Sequence, residues 1–286
     1  MLKYLMTLVL GIFVFYSCNT KKETPSTVRE IQTKTEVEKK VLINFILLIS
    51  KDSIKKLIKN TDSNSLKVIA AINRADVKFL NKFDSIVIPS DLAQPIKQYF
   101  PFPLEASFLK DIKKIIFFSY PTQSFAAYEN GVLVSTGPTS MGRKADMTPT
   151  GLFYTNWKAE QTTSTFNDEW DLKWNFNIEN KLGVGFHQYE MPGYPASHSC
   201  LRLSEKDAKY LYDWADQWKI KGTDNILAQG TPVVVFGSYP FGSSKPWLSL
   251  AQNNKALDIL ETDLENTSKP FLPDIMQKQA QRDSIK

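Results

Sequence analysis

Three residues that can carry out nucleophilic or proton-transfer chemistry lie close together in the stretch FHQYEMPGYPASHSCLRL, residues 186–203. They are His187, His198 and Cys200, in a chain that has two histidines and two cysteines in all. A thiol with an ordinary pKa of about 8.5 needs an imidazole or a helix N-terminus to become a good nucleophile at neutral pH. The combination indicates acyl transfer, in which sulfur attacks a carbonyl carbon and an imidazole moves the proton.

The local sequence favours contact between these groups. His198 is two residues before Cys200, so both side chains point the same way in an extended segment. His187 precedes the turn-rich EMPGYPA, which can fold it back beside Cys200. If a thiolate–imidazolium pair forms, we expect Cys200 to stay reactive toward alkylating agents well below pH 8.

The elements that must position these residues are mostly strands. KKIIFFSY, SFAAYENGVLVS and GTPVVVFGSY have strand-like apolar patterns, and the second of them turns at an Asn-Gly pair. SEKDAKYLYDWADQW predicts one clear helix after Cys200, with Ser204 as its N-cap. The pattern predicts an α+β fold that is mostly β over residues 105–240.

The same stretch resembles the active-site signature of the L,D-transpeptidases, the YkuD-type domain. That signature is a His, a loop, then Ser/Thr-His-Gly-Cys, an apolar residue, and Arg or Asn. The matching residues here are His187, Ser197, His198, Cys200, Leu201 and Arg202. The block STGPTSMGRKADMTPTGLF, residues 135–153, and the closing GTPVVVF are also similar to family segments. The resemblance implies a YkuD-type β-sandwich with one main helix after the catalytic cysteine.

The resemblance also implies catalytic roles. Cys200 is the expected nucleophile, and His187 is the expected general base and then acid. His198 is expected to orient groups in the pocket, and the backbone N–H groups of Ser199 and Cys200 are expected oxyanion donors. The structural alternatives are that Cys200 is a small buried hydrophobic residue and that His187 is a core histidine whose hydrogen bond is made within the protein.

Two further residues are expected to contact substrate. Arg202 carries a planar fork suited to a carboxylate, although it can equally pair with Glu205 or Asp207 on the surface. Ser197, from the same signature, is the second expected substrate contact.

The chain departs from the family pattern at two points. Ser199 stands where the family has Gly, and a Gly there allows a positive φ or a close approach of the backbone, to which the Cβ of Ser adds some cost. The loop from His187 to Ser197 is shorter than is usual in the family. These departures put the pocket geometry in question without removing a chemical group.

The function implied by the resemblance is peptidoglycan L,D-transpeptidation without metal or organic cofactor. The partners are then peptidoglycan stem peptides and glycan strands. One alternative is an L,D-carboxypeptidase that uses water as the acceptor, and another is an inert peptidoglycan-binding lipoprotein. A zinc site made of His187, His198 and Cys200 is a third reading, but its spacing fits no common zinc pattern.

The N-terminus indicates export and lipidation. Residues 1–17 have a charged start and a short apolar run, which is typical of a signal peptide, and Ser17-Cys18 resembles the end of a bacterial lipobox. That resemblance implies a lipid on Cys18 and a protein anchored to a bacterial membrane, on the periplasmic side of the cell envelope. Residues 18–40 are polar and predict a flexible tether.

Two other segments complete the predicted organisation. Residues 41–104 read as strand, helix, helix, strand and resemble a LysM module, which implies glycan binding, although a packing domain that binds nothing is equally compatible. Residues 241–286 predict a polar tail with a short helix or disorder. A net charge of +5, from interleaved acidic and basic residues, does not suggest a nucleic-acid partner.

Overall fold

A computed structural model describes residues 39–163, 171–223 and 225–285. The predicted signal peptide, Cys18 and nearly all of the predicted tether lie outside the described residues. The described residues belong to one compact unit, Glu38–Lys286. Within them, no helix has the length and apolar character needed to span a membrane.

The described residues form thirteen strands and five α-helices. The strands are β1 Phe45–Ile49, β2 Ser85–Pro89, β3 Ile115–Ser119, β4 Ser124–Glu129, β5 Val132–Pro138, β6 Gly151–Tyr154, β7 Lys158–Thr163, β8 Asp171–Glu179, β9 Val184–Gln188, β10 Leu201–Leu203, β11 Lys219–Lys221, β12 Asn225–Ala228 and β13 Pro232–Phe236. The α-helices are α1 Lys51–Asn60, α2 Ser63–Ile72, α3 Glu205–Trp214, α4 Glu261–Ser268 and α5 Leu272–Ser284.

Two sheets build the central layers. A five-stranded sheet has the order β5-β4-β3-β13-β6, and a four-stranded sheet has the order β10-β9-β8-β7. Their facing sides share one apolar cluster, in which the rings of Phe118 and Phe186 lie 6.2 Å apart. Helix α3 packs into the same cluster through Ala208 and Leu211. The predicted α+β class, mostly β with one main helix after Cys200, is confirmed.

The central strands of the five-stranded sheet are buried on both faces, which explains their nearly continuous apolar sequences. All five residues of β3 are buried, and Val233, Val234 and Val235 of β13 are at most 1% exposed. A strand covered on both sides gains from apolar residues at every position, whereas a strand with one wet face alternates. This sheet packs against the four-stranded sheet, which holds the candidate site.

The segment before the sheets forms a small βααβ unit, called here the N-terminal module, residues 45–89. Strand β1 pairs antiparallel with β2, and α1 and α2 lie between them in the chain. Its core includes Ile54, Ile69 and Ile86, all fully buried. The element order is the one predicted from the sequence, while the LysM likeness stays a prediction.

The segment after residue 241, predicted to be a polar tail with a short helix or disorder, contains more helix than expected. A 3-10 helix at Pro246–Ala251 and helices α4 and α5 occupy this segment. Trp247 is fully buried against the N-terminal module, and Leu264 and Ile275 cover the outer face of the five-stranded sheet. The apolar residues of this segment are few and widely spaced. The local sequence pattern therefore does not show that they pack against other parts of the fold.

Candidate active site

His187 lies on a strand, and Cys200 immediately precedes the neighbouring strand, which runs in the same direction. Strand β9 carries His187, and β10 begins immediately after Cys200, with His187 opposite Arg202 in the register. Phe186 and Leu201 are opposite each other and both are fully buried in the core. Since side chains alternate along a strand, His187, Cys200 and Arg202 face the other side of the sheet.

The thiol of Cys200 is free and half-buried. Its Sγ lies 3.7 Å from the carbonyl oxygen of Gly183, to which the S–H donates. Burial raises the pKa of Cys200, and the nearby Gly185 backbone and the charge of Arg202 oppose this effect. Desolvation disfavours the anionic form of the thiol more than Arg202 favours it, which opposes the expected thiolate–imidazolium pair.

His187 is held as a neutral base. Its side chain is buried, and Nδ1 donates to the carbonyl oxygen of Gln188 at 3.0 Å. Burial lowers the pKa of His187 to about 4, although the Gln188 carbonyl raises it, and the charge of Arg202 adds to the lowering. With the proton of a neutral ring on Nδ1, Nε2 is left as the acceptor. This is the form that a general base needs before it takes a proton from sulfur.

The loop before Cys200 has an unusual backbone conformation at Ser199. Ser199 has a φ of +80°, in the left-handed region where a side chain is disfavoured, which is one of the two reasons considered for the family's Gly there. The hydroxyl of Thr148 donates to the Ser199 carbonyl at 2.8 Å, and the Ser199 hydroxyl donates to the Asp146 carbonyl at 3.3 Å. The strain is therefore maintained by surrounding contacts.

The N–H groups of Ser199 and Cys200 have no acceptor among the described residues. Two neighbouring backbone donors beside the thiol are the arrangement that an oxyanion hole requires. The arrangement agrees with the expected donor role of these two groups.

Ser197 is 1% exposed, and its hydroxyl donates to the carbonyl oxygen of Cys200 at 2.5 Å. The structure thus shows Ser197 holding the turn that precedes Cys200. Its role as a substrate contact stays a prediction.

The block at residues 135–153 braces the cysteine loop. Ser140 and Arg202 exchange both backbone hydrogen bonds at 3.1 Å, and the N–H of Arg143 donates to the Ser197 carbonyl at 3.0 Å. The Thr148 hydroxyl also accepts from the Gly142 N–H at 2.9 Å. Through these contacts, the block at residues 135–153 fixes the backbone of the loop that carries Cys200.

The ring of His198 contacts two polar side chains, Asp146 and Arg143, that the sequence analysis did not identify. Its Nδ1 lies 3.0 Å from Oδ2 of Asp146 and 3.2 Å from Nη2 of Arg143, and Arg143 Nε donates to Asp146 at 2.6 Å. The expected orienting role suits this cluster. The signal in the sequence was GRKAD inside the braced block, where an Arg and an Asp are three residues apart.

Arg202 does not form the surface ion pairs that were the alternative for it. Its Nη1 donates to the Glu190 carbonyl at 3.2 Å, and its guanidinium lies 4.5 Å from the centroid of the Tyr189 ring. Asp207 instead accepts from the Ser204 hydroxyl at 2.7 Å. Arg202 is half-buried beside both His187 and Cys200, and this burial lowers its pKa. It is thus placed to hold an anionic group next to the thiol.

The zinc alternative has no geometric support in the described residues. They contain no group of three His, Cys, Asp or Glu side chains close enough to share one metal ion. The ring of His198 is directed to Asp146, whereas Nδ1 of His187 is bound to a backbone carbonyl.

Comparison with known proteins decides the type of domain. Residues 113–235 match the family model of YkuD, the L,D-transpeptidase catalytic domain. The YkuD resemblance drawn from the sequence is confirmed for this segment, which is less than half of the chain and contains every candidate catalytic residue. The YkuD-type segment includes both central sheets and α3. The chain matches no curated protein.

Solved structures show similarity over about half of each chain. An L,D-transpeptidase from Stackebrandtia nassauensis has 23% identity, covers 45% of this chain and 57% of its own, and gives a TM-score of 0.37. One from Mycobacterium smegmatis has 19% identity, with coverage of 44% and 59% and a TM-score of 0.35. A mutant Enterococcus faecium L,D-transpeptidase has 23% identity, with coverage of 43% and 50% and a TM-score of 0.34. Because these values are low, the function proposed below depends on the YkuD match and on the site geometry.

Proposed function

We propose that this chain is a peptidoglycan L,D-transpeptidase that works through a thioester on Cys200. One observation carries the proposal. A neutral His187 with a free Nε2 lies on the strand next to a free thiol, and both are inside the segment that matches the L,D-transpeptidase catalytic domain. A base and a nucleophile on adjacent strands are the minimum that acyl transfer requires.

The first half-reaction forms the thioester. Cys200 Sγ attacks the carbonyl carbon at the bond to the terminal D-residue of a tetrapeptide stem, and Nε2 of His187 takes the thiol proton. The N–H groups of Ser199 and Cys200 stabilise the oxyanion, at about 3 kcal/mol for each donor. The carbon–nitrogen bond then breaks, His187 returns the proton to the leaving amine, and the terminal D-residue departs.

The second half-reaction releases the acyl group. An amine from another stem attacks the thioester carbonyl and loses a proton to His187, and the carbon–sulfur bond breaks to regenerate the thiol. Water in place of the amine gives the carboxypeptidase reaction. Because His187 is neutral at rest, a proton moves only during each attack, and no resting thiolate is needed.

The location and the wider partners are also part of the proposal. A signal peptide at residues 1–17 and a lipid on Cys18 would anchor the protein on the periplasmic side of a bacterial membrane, as the charged start and apolar run support. The N-terminal module would contact glycan strands if its LysM likeness extends to binding. Attachment to the membrane would keep the enzyme beside an insoluble substrate.

A carbapenem tests the enzymatic proposal, since it acylates a competent cysteine without needing an acceptor. We expect a one-to-one covalent adduct by intact mass on the folded full-length protein, and its loss in Cys200→Ala and in His187→Ala. The strained Ser199 favours the second candidate, an inert wall-binding lipoprotein. A folded wild-type protein that forms no adduct would contradict the enzymatic proposal and favour that second candidate.

A further inference from the structure

A cleft of about 510 Å³ lies where three parts of the chain meet. The N-terminal module contributes Phe79, Lys82 and Phe83, the loop between His187 and Cys200 contributes Pro192 and Tyr194, and the C-terminal segment contributes Lys245. The volume is in the range of small-molecule sites in proteins. The cleft contains none of the reacting residues, so it is separate from the site described above.

Two ammonium groups, against the single carboxylate of Asp84, give the cleft an excess of positive charge. Nζ of Lys245 lies 3.5 Å from the centroid of Phe83, and Nζ of Lys82 lies 4.9 Å from that of Phe79. Neither lysine forms an ion pair within the described part of the chain, and the lining carboxylate, Asp84, pairs with Lys51 at 3.2 Å. Burial lowers the pKa of Lys245 to about 8, while the charge of Asp84 opposes this effect, and a further anion nearby would offset more of the cost.

The cleft is physically joined to the catalytic loop. Asp76 donates its N–H to the Met191 carbonyl at 2.8 Å and accepts the Met191 N–H on its carboxylate at 3.0 Å. A side chain at Gly193, where φ is +84°, would overlap the ring of Phe83. A ligand held between Phe83 and Tyr194 would therefore rest on the loop that connects His187 to Cys200.

We propose that this cleft binds the free terminal carboxylate of the acceptor stem peptide, an inference that rests on the proposed transpeptidase function. Ammonium groups lying over aromatic rings in a partly dry cleft favour a carboxylate, whereas a neutral glycan gives them no opposite charge. The donor carboxylate is one residue from the attacked carbonyl and belongs beside Cys200. The carboxylate of a second stem is free to bind farther along the loop. Tyr194, which is 50% exposed, offers its ring to the rest of that stem.

Binding to the full-length Cys200→Ala protein in non-ionic detergent tests the inference without catalysis. The probes are a synthetic disaccharide-tetrapeptide with a free terminal carboxylate, the same fragment as its carboxamide, and the disaccharide alone. We expect calorimetry to show the acid binding about tenfold more tightly than the amide. Lys245→Met and Lys82→Met should each remove most of that preference.

The control is Lys67→Met, an exposed lysine of α2 in the same module that does not line the cleft. Lys82 is also exposed, so its variant keeps the test valid if Lys245→Met unfolds. An acid-to-amide ratio that stays the same in Lys82→Met as in Lys67→Met would overturn the inference. Equal binding of the disaccharide and the full fragment would also overturn it, in favour of a glycan site. The proposed function fails separately, through the absence of a carbapenem adduct on wild-type protein.

Discussion

The hydroxyl of Thr148 donates to the carbonyl of Ser199 across a distance of 2.8 Å, and this bond ties the TPTG block to the loop that presents Cys200. The same hydroxyl accepts from the Gly142 N–H, so one buried side chain satisfies two backbone groups. Loss of it would leave both groups without a partner in a place that water reaches poorly.

We therefore expect Thr148→Val to lower the free energy of unfolding by about 2 kcal/mol and to slow carbapenem acylation of Cys200 by about tenfold. Valine has nearly the same shape and lacks only the hydroxyl. Thr148→Ser keeps the hydroxyl and serves as the control. Denaturant melts and timed mass spectra give the two quantities, and a valine variant that acylates at the wild-type rate would show that the bond does not position the loop.

The positive φ of Ser199 predicts a stabilising substitution. Ser199→Gly should raise the free energy of unfolding by about 1 kcal/mol relative to Ser199→Ala, because glycine accepts φ near +80° without steric cost. Alanine is the matched comparison, since both variants lose the Ser199 hydroxyl and its bond to the Asp146 carbonyl. If glycine and alanine melt at the same denaturant concentration, the loop does not hold this conformation in solution.

The pKa of Cys200 sets the pH dependence of its reactivity. Because burial raises the thiol pKa, the thiolate fraction is small at neutral pH and grows as pH rises past the ordinary value near 8.5. Alkylation by iodoacetamide should therefore be slow at pH 7 and should accelerate through pH 9. Cys200→Ala provides the blank. Rapid alkylation between pH 6 and 7 would show that the thiolate–imidazolium pair forms after all.

The buried neutral His187 predicts an acid-sensitive stability. The unfolded chain protonates this residue near pH 6.5, whereas the folded chain does so only at about 4. Its contribution is thus fully present above pH 6.5 and is lost as pH falls toward 4, by about 3 kcal/mol in total. Carboxylates also titrate there, so the informative quantity is the difference between wild type and His187→Gln. That difference should shrink steadily from pH 7 to pH 4, and a constant difference would contradict the assigned pKa.

Asp76 of the N-terminal module positions the catalytic loop through its two bonds to Met191. Asp76→Ala should raise the KM for a tetrapeptide fragment several-fold and leave kcat less affected, because the loop wall moves while Cys200 and His187 stay on their strands. Asp76→Asn retains an acceptor oxygen and should restore most of the affinity. A uniform loss of kcat and of stability in both variants would indicate a general structural role instead.

Much of the site could be predicted from residue types and their order. The signature around Cys200, the block at residues 135–153 and the buried strand β13 are local patterns, and the family match at residues 113–235 agrees with them. Asp146 and Arg143 were not predicted as site residues, because exposed charges three residues apart usually indicate a solvated turn. Their contacts with His198, which is distant in the sequence, are seen only in the folded structure.

The sequence by itself determined the chemical groups and the strands and helix that carry them, and it identified Ser199 as a departure from the family's Gly. Only the tertiary structure decided that Cys200 and His187 are neutral at rest, that Asp76 holds the catalytic loop and that the last helices cover a sheet face. The reason is that protonation and docking depend on desolvation and on contacts between residues far apart in the chain. A local pattern contains neither quantity.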